Sequence, residues 1–430
     1  MTRSWAEWPG ATKWAALAWV PLMLLVAMPF RYLQWPLPER GVPIMWLCLG
    51  GALIVTAVVA RASWPFAALI VWATMRAAMN EFPLRGVQLL FLVGMVGLLY
   101  AAARDLSLTA ERWAAFALCV AAAYEGLLGY VNIWGSYPGM SFVVTTEIGR
   151  PMGFLTHPNY WGSYMALSLP IVWSIAGILP AVAIAAMIAA SYSAGPMISA
   201  AVGITVIAWA YLGRTVRYAV AAVAGAGTVA AFLVHDTANF SPAGLNRLSG
   251  RLENWIAAWP ELIRYPVIGQ GLGDWRGWAE NYNVKTQSFF ATLQAHNEPY
   301  QLWFELGLIG VGLAVLWALQ IWQAASTSWR HCPPGSGAWW APGAVPLERA
   351  WVAVLATALV NSLGSPTFHL PAQAAITIFA LARIQAHAGA HRSFPLQDLS
   401  PNGRQANPEP ERRARRGATR SLKDAATRNR

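Results

Sequence analysis

Successive runs of about 20 apolar residues restrict the fold of this chain more than any other feature of its sequence. Clear examples are Lys13 to Phe30, Gly41 to Ala60, Leu84 to Ala103 and Val216 to Val234. A run of that length is what an α-helix needs to cross the hydrocarbon core of a bilayer. Because backbone groups in lipid must find hydrogen-bond partners within the chain, repeated runs predict a bundle of spanning helices. We therefore predict an all-α, polytopic transmembrane helical bundle.

The composition agrees with lipid as the main surrounding of the chain. Hydrophobic residues make up 57% of its 430 residues and charged ones only 11%, far from the balance of soluble domains. The first apolar run is interpreted as a retained helix rather than a signal peptide, because no small-residue cleavage site follows it. Hydropathy predicts about twelve spans, near residues 13–30, 41–60, 62–80, 84–103, 111–131, 158–178, 179–193, 195–213, 216–234, 300–322, 347–364 and 371–386.

Cations near the span ends predict the orientation of the bundle. With both termini in the cytoplasm, the inner loops hold Arg61, Arg104 and Arg330, as the positive-inside rule requires. The outer side receives more cations than that rule leads one to expect, among them Arg150 and Arg264. Their number suggests an anionic ligand on the outer side.

Hydropathy and charge divide the chain into four parts. About nine spans are followed by one long outer loop, a shorter group of spans and a polar tail. Because the tail is rich in Pro, Asn and Arg, we predict that it is disordered. We expect it to lie on anionic membrane lipid rather than on nucleic acid, each cation contributing on the order of 1 kcal/mol. The four parts are residues 1–234, 235–299, 300–392 and 393–430.

The long outer loop contains a predicted amphipathic helix, Leu245 to Ile263. At about 100° per residue, its Leu, Ile and Trp side chains fall in one sector, with Arg247 and Arg251 in the opposing one. Such a helix lies in the membrane interface, and Pro260 is expected to end or kink it. The two arginines bind either lipid phosphates or a lipid-linked pyrophosphate, since a guanidinium grips a phosphate with two parallel hydrogen bonds. After the helix, Arg264 to Trp275 has a Gly-x-Gly-x-Gly spacing that permits a tight turn and close backbone approach.

The sequence QAHNEPYQLWFELGLIGVG, Gln294 to Gly312, places polar residues where the loop meets the next apolar run. Pro299 fits the first turn of the helix, and Glu298 in that turn is favoured by the helix dipole. His296 is either an exposed loop residue or a catalytic base. A neutral imidazole beside arginines that hold a leaving phosphate can take a proton from an acceptor hydroxyl.

Three stretches, in this order, carry a resemblance to a known family. They are Gly149 to Pro170 (GRPMGFLTHPNYWGSYMALSLP), Arg251 to Trp275 (RLENWIAAWPELIRYPVIGQGLGDW) and Ala295 to Gly310 (AHNEPYQLWFELGLIG). With a Pro-Asn segment, a Gly-x-Gly-x-Gly turn and a His-Asn signature that opens a helix, they resemble the O-antigen ligase and polymerase family of bacterial envelope glycosyltransferases. The resemblance rests on motifs in roughly the second half of the chain and on hydropathy alone in the first half.

This resemblance implies a metal-independent enzyme of the bacterial inner membrane that needs no cofactor. Its donor would be a glycan linked to undecaprenyl pyrophosphate, and transfer would take place on the periplasmic side. The family's proposals make His296 the base and Arg251 a pyrophosphate ligand, with Arg247 as its companion, while Asn297 orients the histidine or the sugar. The protein then positions the acceptor, removes its proton and stabilises the developing charge.

One stretch departs from the family pattern. Family members carry an arginine in a Ser-rich turn between two middle spans, whereas SYSAGPMISA has Gly195 and Pro196 there. Arg150 is the candidate for a replacement phosphate ligand, with an interfacial loop arginine as the alternative interpretation. The motif around His157 is interpreted as the structure that begins a helix, with Asn159 as its cap.

These residues do not specify the acceptor. Lipid A core would make the chain an O-antigen ligase, which we favour because the chain has little room for an added acceptor domain. A second lipid-linked unit would make it a polymerase, and a Ser or Thr of a protein would make it a protein O-oligosaccharyltransferase. A flippase or transporter of lipid-linked glycan is the alternative from another class. It predicts ionisable residues and broken helices near the bilayer midplane, whereas the charges here gather at span ends.

Overall fold

The computed structural model describes residues 63–78, 96–134, 151, 153–155, 157–191, 193–209, 211, 246–286, 294–332, 339–365, 367 and 370–393. Within these ranges the regular structure is helical, and no β-strand occurs. The all-α prediction is therefore confirmed for this part of the chain. The chain forms two compact units, Met1–Ala388 and Gly389–Arg430, and the first contains all the contacts described below.

Helices occupy every predicted span that falls in the described residues. The spans near 13–30, 41–60 and 216–234 lie outside them, and residues 96–104 are helical. Among the described residues, one 3-10 turn, Gly153–Leu155, precedes the helix that begins at Pro158. The helices are α1 (Trp64–Ala78), α2 (Leu108–Trp134), α3 (Pro158–Ala176), α4 (Ile178–Ala190), α5 (Ala194–Trp209), α6 (Asn246–Arg264), α7 (Asp274–Thr286), α8 (Glu298–His331), α9 (Leu347–Ser362) and α10 (Pro371–Ser393).

One described helix, α8, is long and apolar enough to cross a membrane by length and composition. Helices α4 and α5 are apolar but have only 13 and 16 residues. At about 1.5 Å per residue they are roughly 20 and 24 Å long, short of the hydrocarbon thickness of about 30 Å. The helical nature of these segments is confirmed, while the count of twelve spans is not.

Helix α3 forms the centre of the described bundle. It packs against α2, α4, α5 and α9, and most of its residues are buried on all sides. Polar side chains of α3 find partners within the bundle; Ser163, for example, donates to Oδ1 of Asn361 in α9 at 2.9 Å. The N-terminus of this central helix is therefore held at a fixed place at one end of the bundle.

Helix α8 is broken at Gly307, a feature that hydropathy alone does not predict. Gly307 has φ 67° and ψ −173°, outside the helical region and at a positive φ that favours glycine. Such a break removes helical partners from the carbonyls before it and the amides after it. In an apolar surrounding those groups need partners from elsewhere in the chain.

The turn after α6 supplies those partners. Two of its amides donate to carbonyls before the break at 2.8 and 3.0 Å, and two amides after the break donate to its carbonyls at 2.9 and 3.2 Å. Arg76 of α1 holds the turn in place by donating to the carbonyls of Gly269 and Gln270 at 2.8 and 2.9 Å. The Gly-rich turn thus makes the close backbone approach that its spacing predicts, and makes it to α8. The amide–carbonyl pairs are Gln270 to Phe304, Gly271 to Glu305, Leu308 to Pro266 and Ile309 to Val267.

Replacing Gly307 with alanine is expected to lower the stability of the protein by about 3 kcal/mol or more. A Cβ there would lie 2.2 Å from the Val267 carbonyl oxygen, and the residue would keep a positive φ. Thermal unfolding in detergent measures the effect. The matched control is Gly312→Ala in the same helix, where a Cβ meets nothing within 4 Å; it should raise stability by about 0.5–1 kcal/mol. Equal unfolding temperatures for the two variants would contradict the close packing of the turn after α6 against the break in α8.

A buried group of charged side chains joins α2, α9 and α10 at the end of the bundle away from the N-terminus of α3. Glu111 of α2 accepts from Arg383 at 2.5 Å, from His387 at 2.9 Å and from Trp351 at 2.6 Å. Arg383 also donates to the backbone carbonyl of Ala103 at 3.0 Å. Because Trp351 lies near the start of α9, the other end of α9 lies roughly 17 Å away, at about 1.5 Å per residue.

Candidate active site

His296 stands in the loop immediately before α8, in an unusual backbone conformation. Its φ is 53°. Among the described residues other than glycine, no other has a positive φ. The residue before it is fixed on both sides, because the Ala295 carbonyl accepts from Trp255 Nε1 at 2.8 Å and the Ala295 amide donates to Gln301 Oε1 at 3.1 Å. A non-glycine residue held in the left-handed region is typical of functional sites.

Asn297 caps the N-terminus of α8. Its side-chain oxygen accepts from the Tyr300 amide at 2.9 Å, and Glu298 and Pro299 occupy the first turn, as their positions predict. The oxygen of Asn297 is therefore used in the cap, and its effect on His296 is to fix the backbone that follows the imidazole. The predicted role of Asn297 in orienting the histidine or the sugar stays a prediction.

Helix α6 brings Arg251 to the same place. The helix is fixed to the start of α8, where the Tyr300 hydroxyl donates to the Trp255 carbonyl at 2.7 Å, and Ala258 is completely buried. Arg251 is half-buried. One of its terminal nitrogens lies 3.7 Å from the position of a Cβ on Gly364, in the turn between α9 and α10.

The amphipathic character predicted for α6 is confirmed, with a correction to its end. Leu252, Ile256, Trp259 and Ile263 are exposed along one side, as expected of a helix whose apolar face meets lipid. Pro260, which was expected to end or kink the helix, does not end it, because the helix continues to Arg264; the kink stays a prediction.

The structure gives no side-chain position for two of the proposed phosphate ligands, Arg247 and Arg150. Arg247 is part of α6, but its side chain lies outside what the structure describes, and Arg150 lies outside the described residues altogether. The stretch that has Gly195 in place of the family arginine does lie within the described residues. Its Ser193 donates to the side-chain oxygen of Asn159 at 2.5 Å, so this turn lies beside the N-terminus of α3.

The N-terminus of α3 contributes His157 and Tyr160 to the site. His157 Nδ1 accepts from the Asn159 amide at 3.1 Å and is the cap of the helix, so the expectation that Asn159 caps it is wrong. The His157 ring lies 4.8 Å from the Tyr160 ring, and the Tyr160 hydroxyl donates to Gln294 Oε1 at 2.9 Å. Pro158 at the first helical position was the sequence signal that marked residue 157 as the cap.

The electrostatic surrounding keeps the His296 imidazole neutral. Burial is the largest cause, and the positive charges of Arg251 and His157 act in the same direction, lowering the pKa of His296 to about 3. Both effects disfavour a second proton on the ring. At neutral pH the imidazole is therefore uncharged and able to accept a proton.

The geometry thus brings together Arg251, His296 and His157 from three separate parts of the chain. Among the described residues, no group of three His, Cys, Asp or Glu side chains is arranged to hold a metal ion. A neutral imidazole beside a guanidinium can remove a proton from a hydroxyl while an anion is held next to it.

Part of the chain is also similar to a known family. Residues 179–315 match the family model described as O-Antigen ligase. The matched segment runs from α4 to the middle of α8 and contains both Arg251 and His296. No curated protein matches the chain. Through residues 179–315, the chain is similar to the O-antigen ligase family.

Proposed function

We propose that the chain transfers a glycan from undecaprenyl pyrophosphate to an acceptor hydroxyl at the periplasmic face of the bacterial inner membrane. The acceptor that we favour is lipid A core, which makes the reaction O-antigen ligation. The family segment supports ligase-type or polymerase-type activity in general. The observation that carries the proposal is the neutral His296, held at positive φ beside Arg251.

In this mechanism His296 is the general base. It accepts the proton of the acceptor hydroxyl as that oxygen forms a bond to the anomeric carbon of the donor sugar. The bond from the anomeric carbon to the pyrophosphate oxygen breaks, and its electron pair leaves with undecaprenyl pyrophosphate. Arg251 holds the departing anion with charge-assisted hydrogen bonds.

Other residues take supporting roles in the proposal. Asn297 fixes the backbone that follows the base through its cap on α8. Arg247, one turn before Arg251 on α6, and Arg150 are further candidates for pyrophosphate ligands. Loop 235–299 then forms the periplasmic catalytic region.

The proposal places the rest of the chain relative to the membrane. Both termini are cytoplasmic, and the basic segment 393–430 lies on anionic lipid of the inner leaflet. The exposed apolar side of α6 enters the outer lipid interface, so that Arg251 stands at the height of donor phosphates. The buried charged group around Glu111 then lies toward the cytoplasmic end.

Donor binding is expected to raise the pKa of His296. In the free enzyme that pKa is lowered to about 3, partly by Arg251. The two negative charges of the pyrophosphate compensate the guanidinium and favour the imidazolium. The acid limb of the kcat/KM profile, which reports the free enzyme, should therefore lie well below pH 6.5, and the acid limb of kcat should lie at higher pH. Coincident limbs near pH 6.5 would contradict this electrostatic coupling.

The proposed function is tested by deleting the gene in the source organism and separating its surface glycans by electrophoresis. Ligation predicts the loss of long glycan from lipid A core, with lipid-linked polymer accumulating. Single-unit glycans on lipid A core would instead indicate a polymerase, and loss of glycan from proteins would indicate a protein O-oligosaccharyltransferase. Accumulation of donor on the cytoplasmic side would indicate a flippase and contradict the proposal.

A further inference from the structure

The start of α3 is linked directly to the catalytic loop. The Tyr160 hydroxyl donates to Gln294 Oε1 at 2.9 Å, although the two residues are 134 positions apart. Gln294 stands two residues before His296. The His157 ring lies 4.8 Å from the Tyr160 ring. The hydrogen bond therefore holds the start of α3, with His157, beside the loop that contains His296.

The tautomer of His157 follows from its cap. Its Nδ1 accepts from the Asn159 amide at 3.1 Å, so a neutral ring carries its proton on Nε2. In this neutral form the ring is an N–H donor through Nε2. A donor of this kind binds an anionic oxygen.

The charges around His296 favour an anion with more than one phosphate. Arg251 on α6 and His157 on α3 both act on His296 as positive charges, and the charge of Arg251 also interacts with Tyr160. The Arg251 guanidinium and the His157 imidazole belong to different helices, so each can reach a different part of one ligand. A single guanidinium suffices for one phosphate group, whereas a guanidinium together with a second N–H donor suits a pyrophosphate.

We infer that His157 is a second ligand of the donor pyrophosphate, donating from Nε2 to one phosphate while Arg251 binds the other. This inference rests on the proposed function and adds a residue to it. His157 would then be a binding residue that touches the substrate, in addition to being the cap of α3. The family match begins at residue 179 and does not include His157.

The variant His157→Asn separates these two roles. Asparagine is a preferred N-cap, so the variant keeps the side-chain acceptor for the Asn159 amide and loses the imidazole. We would measure the dissociation constants of undecaprenyl pyrophosphate and of undecaprenyl phosphate for the full-length protein in nanodiscs of zwitterionic lipid. The expected result is about tenfold weaker binding of the pyrophosphate, with a much smaller change for the monophosphate. His157→Ala, which also loses the cap, should lower the thermal stability as well.

Each outcome bears on a separate claim. An unchanged ratio of the two dissociation constants in His157→Asn would overturn the inference and leave His157 as a cap only. Equal competition by phosphatidylglycerol would overturn it too, because the site would then be one for lipid headgroups. If His157→Asn shows the expected ratio but His296→Asn still transfers glycan at the normal rate, the inference stands and the proposed base fails. Failure of the wild-type protein to bind undecaprenyl pyrophosphate would overturn both.

Discussion

Replacing His296 with asparagine is expected to lower the rate of glycan transfer by a factor on the order of 10²–10⁴, which is the usual contribution of a general base. Donor binding should be nearly unchanged, because Arg251 is retained. Asparagine tolerates the positive φ of 53° that this position requires. The loss would therefore reflect the missing base and not a collapsed loop. The measurement is single-turnover transfer in reconstituted membranes, together with donor affinity.

His331 offers a matched control for this variant. It lies at the opposite end of α8, where it is exposed, and its Nδ1 is 2.8 Å from the Thr327 carbonyl oxygen. His331→Asn makes the same chemical change on the same helix and should leave transfer unchanged. A normal transfer rate in His296→Asn, or an equal loss in both variants, would remove the assignment of His296 as the base.

Replacing Arg251 with glutamine should weaken donor binding by a factor on the order of 100 or more, since a bidentate guanidinium makes two charge-assisted hydrogen bonds to a phosphate. The same change should raise the pKa of His296, because one of the positive charges that lower it is gone. Arg251→Lys keeps the charge and loses the planar geometry, so it should give intermediate affinity. Titration of donor into the protein in nanodiscs measures all three affinities.

Arg264 is the control on the same helix. It stands at the exposed end of α6, 3.7 Å from Glu261, and its replacement by glutamine should leave donor affinity unchanged, because exposed ion pairs contribute little. Comparable losses in Arg251→Gln and Arg264→Gln would mean that α6 attracts the donor by general charge. The specific role of Arg251 would then be wrong.

Local sequence patterns were sufficient to predict the helices and part of the site. Runs of apolar residues marked the helical segments, and the spacing of Leu, Ile and Trp predicted the exposed side of α6. Pro299 and Glu298 located the start of α8 correctly. Arg251 and His296 were brought together by the family resemblance, and in the structure the charge of Arg251 acts on His296.

The features that were missed depend on contacts between distant parts of the chain. The break at Gly307 is stabilised by a turn about 40 residues earlier and by Arg76 in α1, so a glycine within an apolar run carries no local sign of it. Asn159 resembled a cap by residue type, but Pro158 fixed the cap one position earlier, at His157. The place of His157 in the site depends on the Tyr160 to Gln294 hydrogen bond across 134 positions, which no short motif encodes.

The most direct test of the central claim is an NMR titration of the His296 imidazole in nanodiscs, with and without undecaprenyl pyrophosphate. The chain has seven histidines, and the signal that disappears in His296→Asn identifies the one of interest. The account predicts an imidazole that is still neutral at pH 5 in the free protein, whose pKa rises when donor binds and also when Arg251 is replaced by glutamine. An ordinary histidine that titrates near pH 6.5 and responds to neither change would contradict a shared pocket for the base and the pyrophosphate.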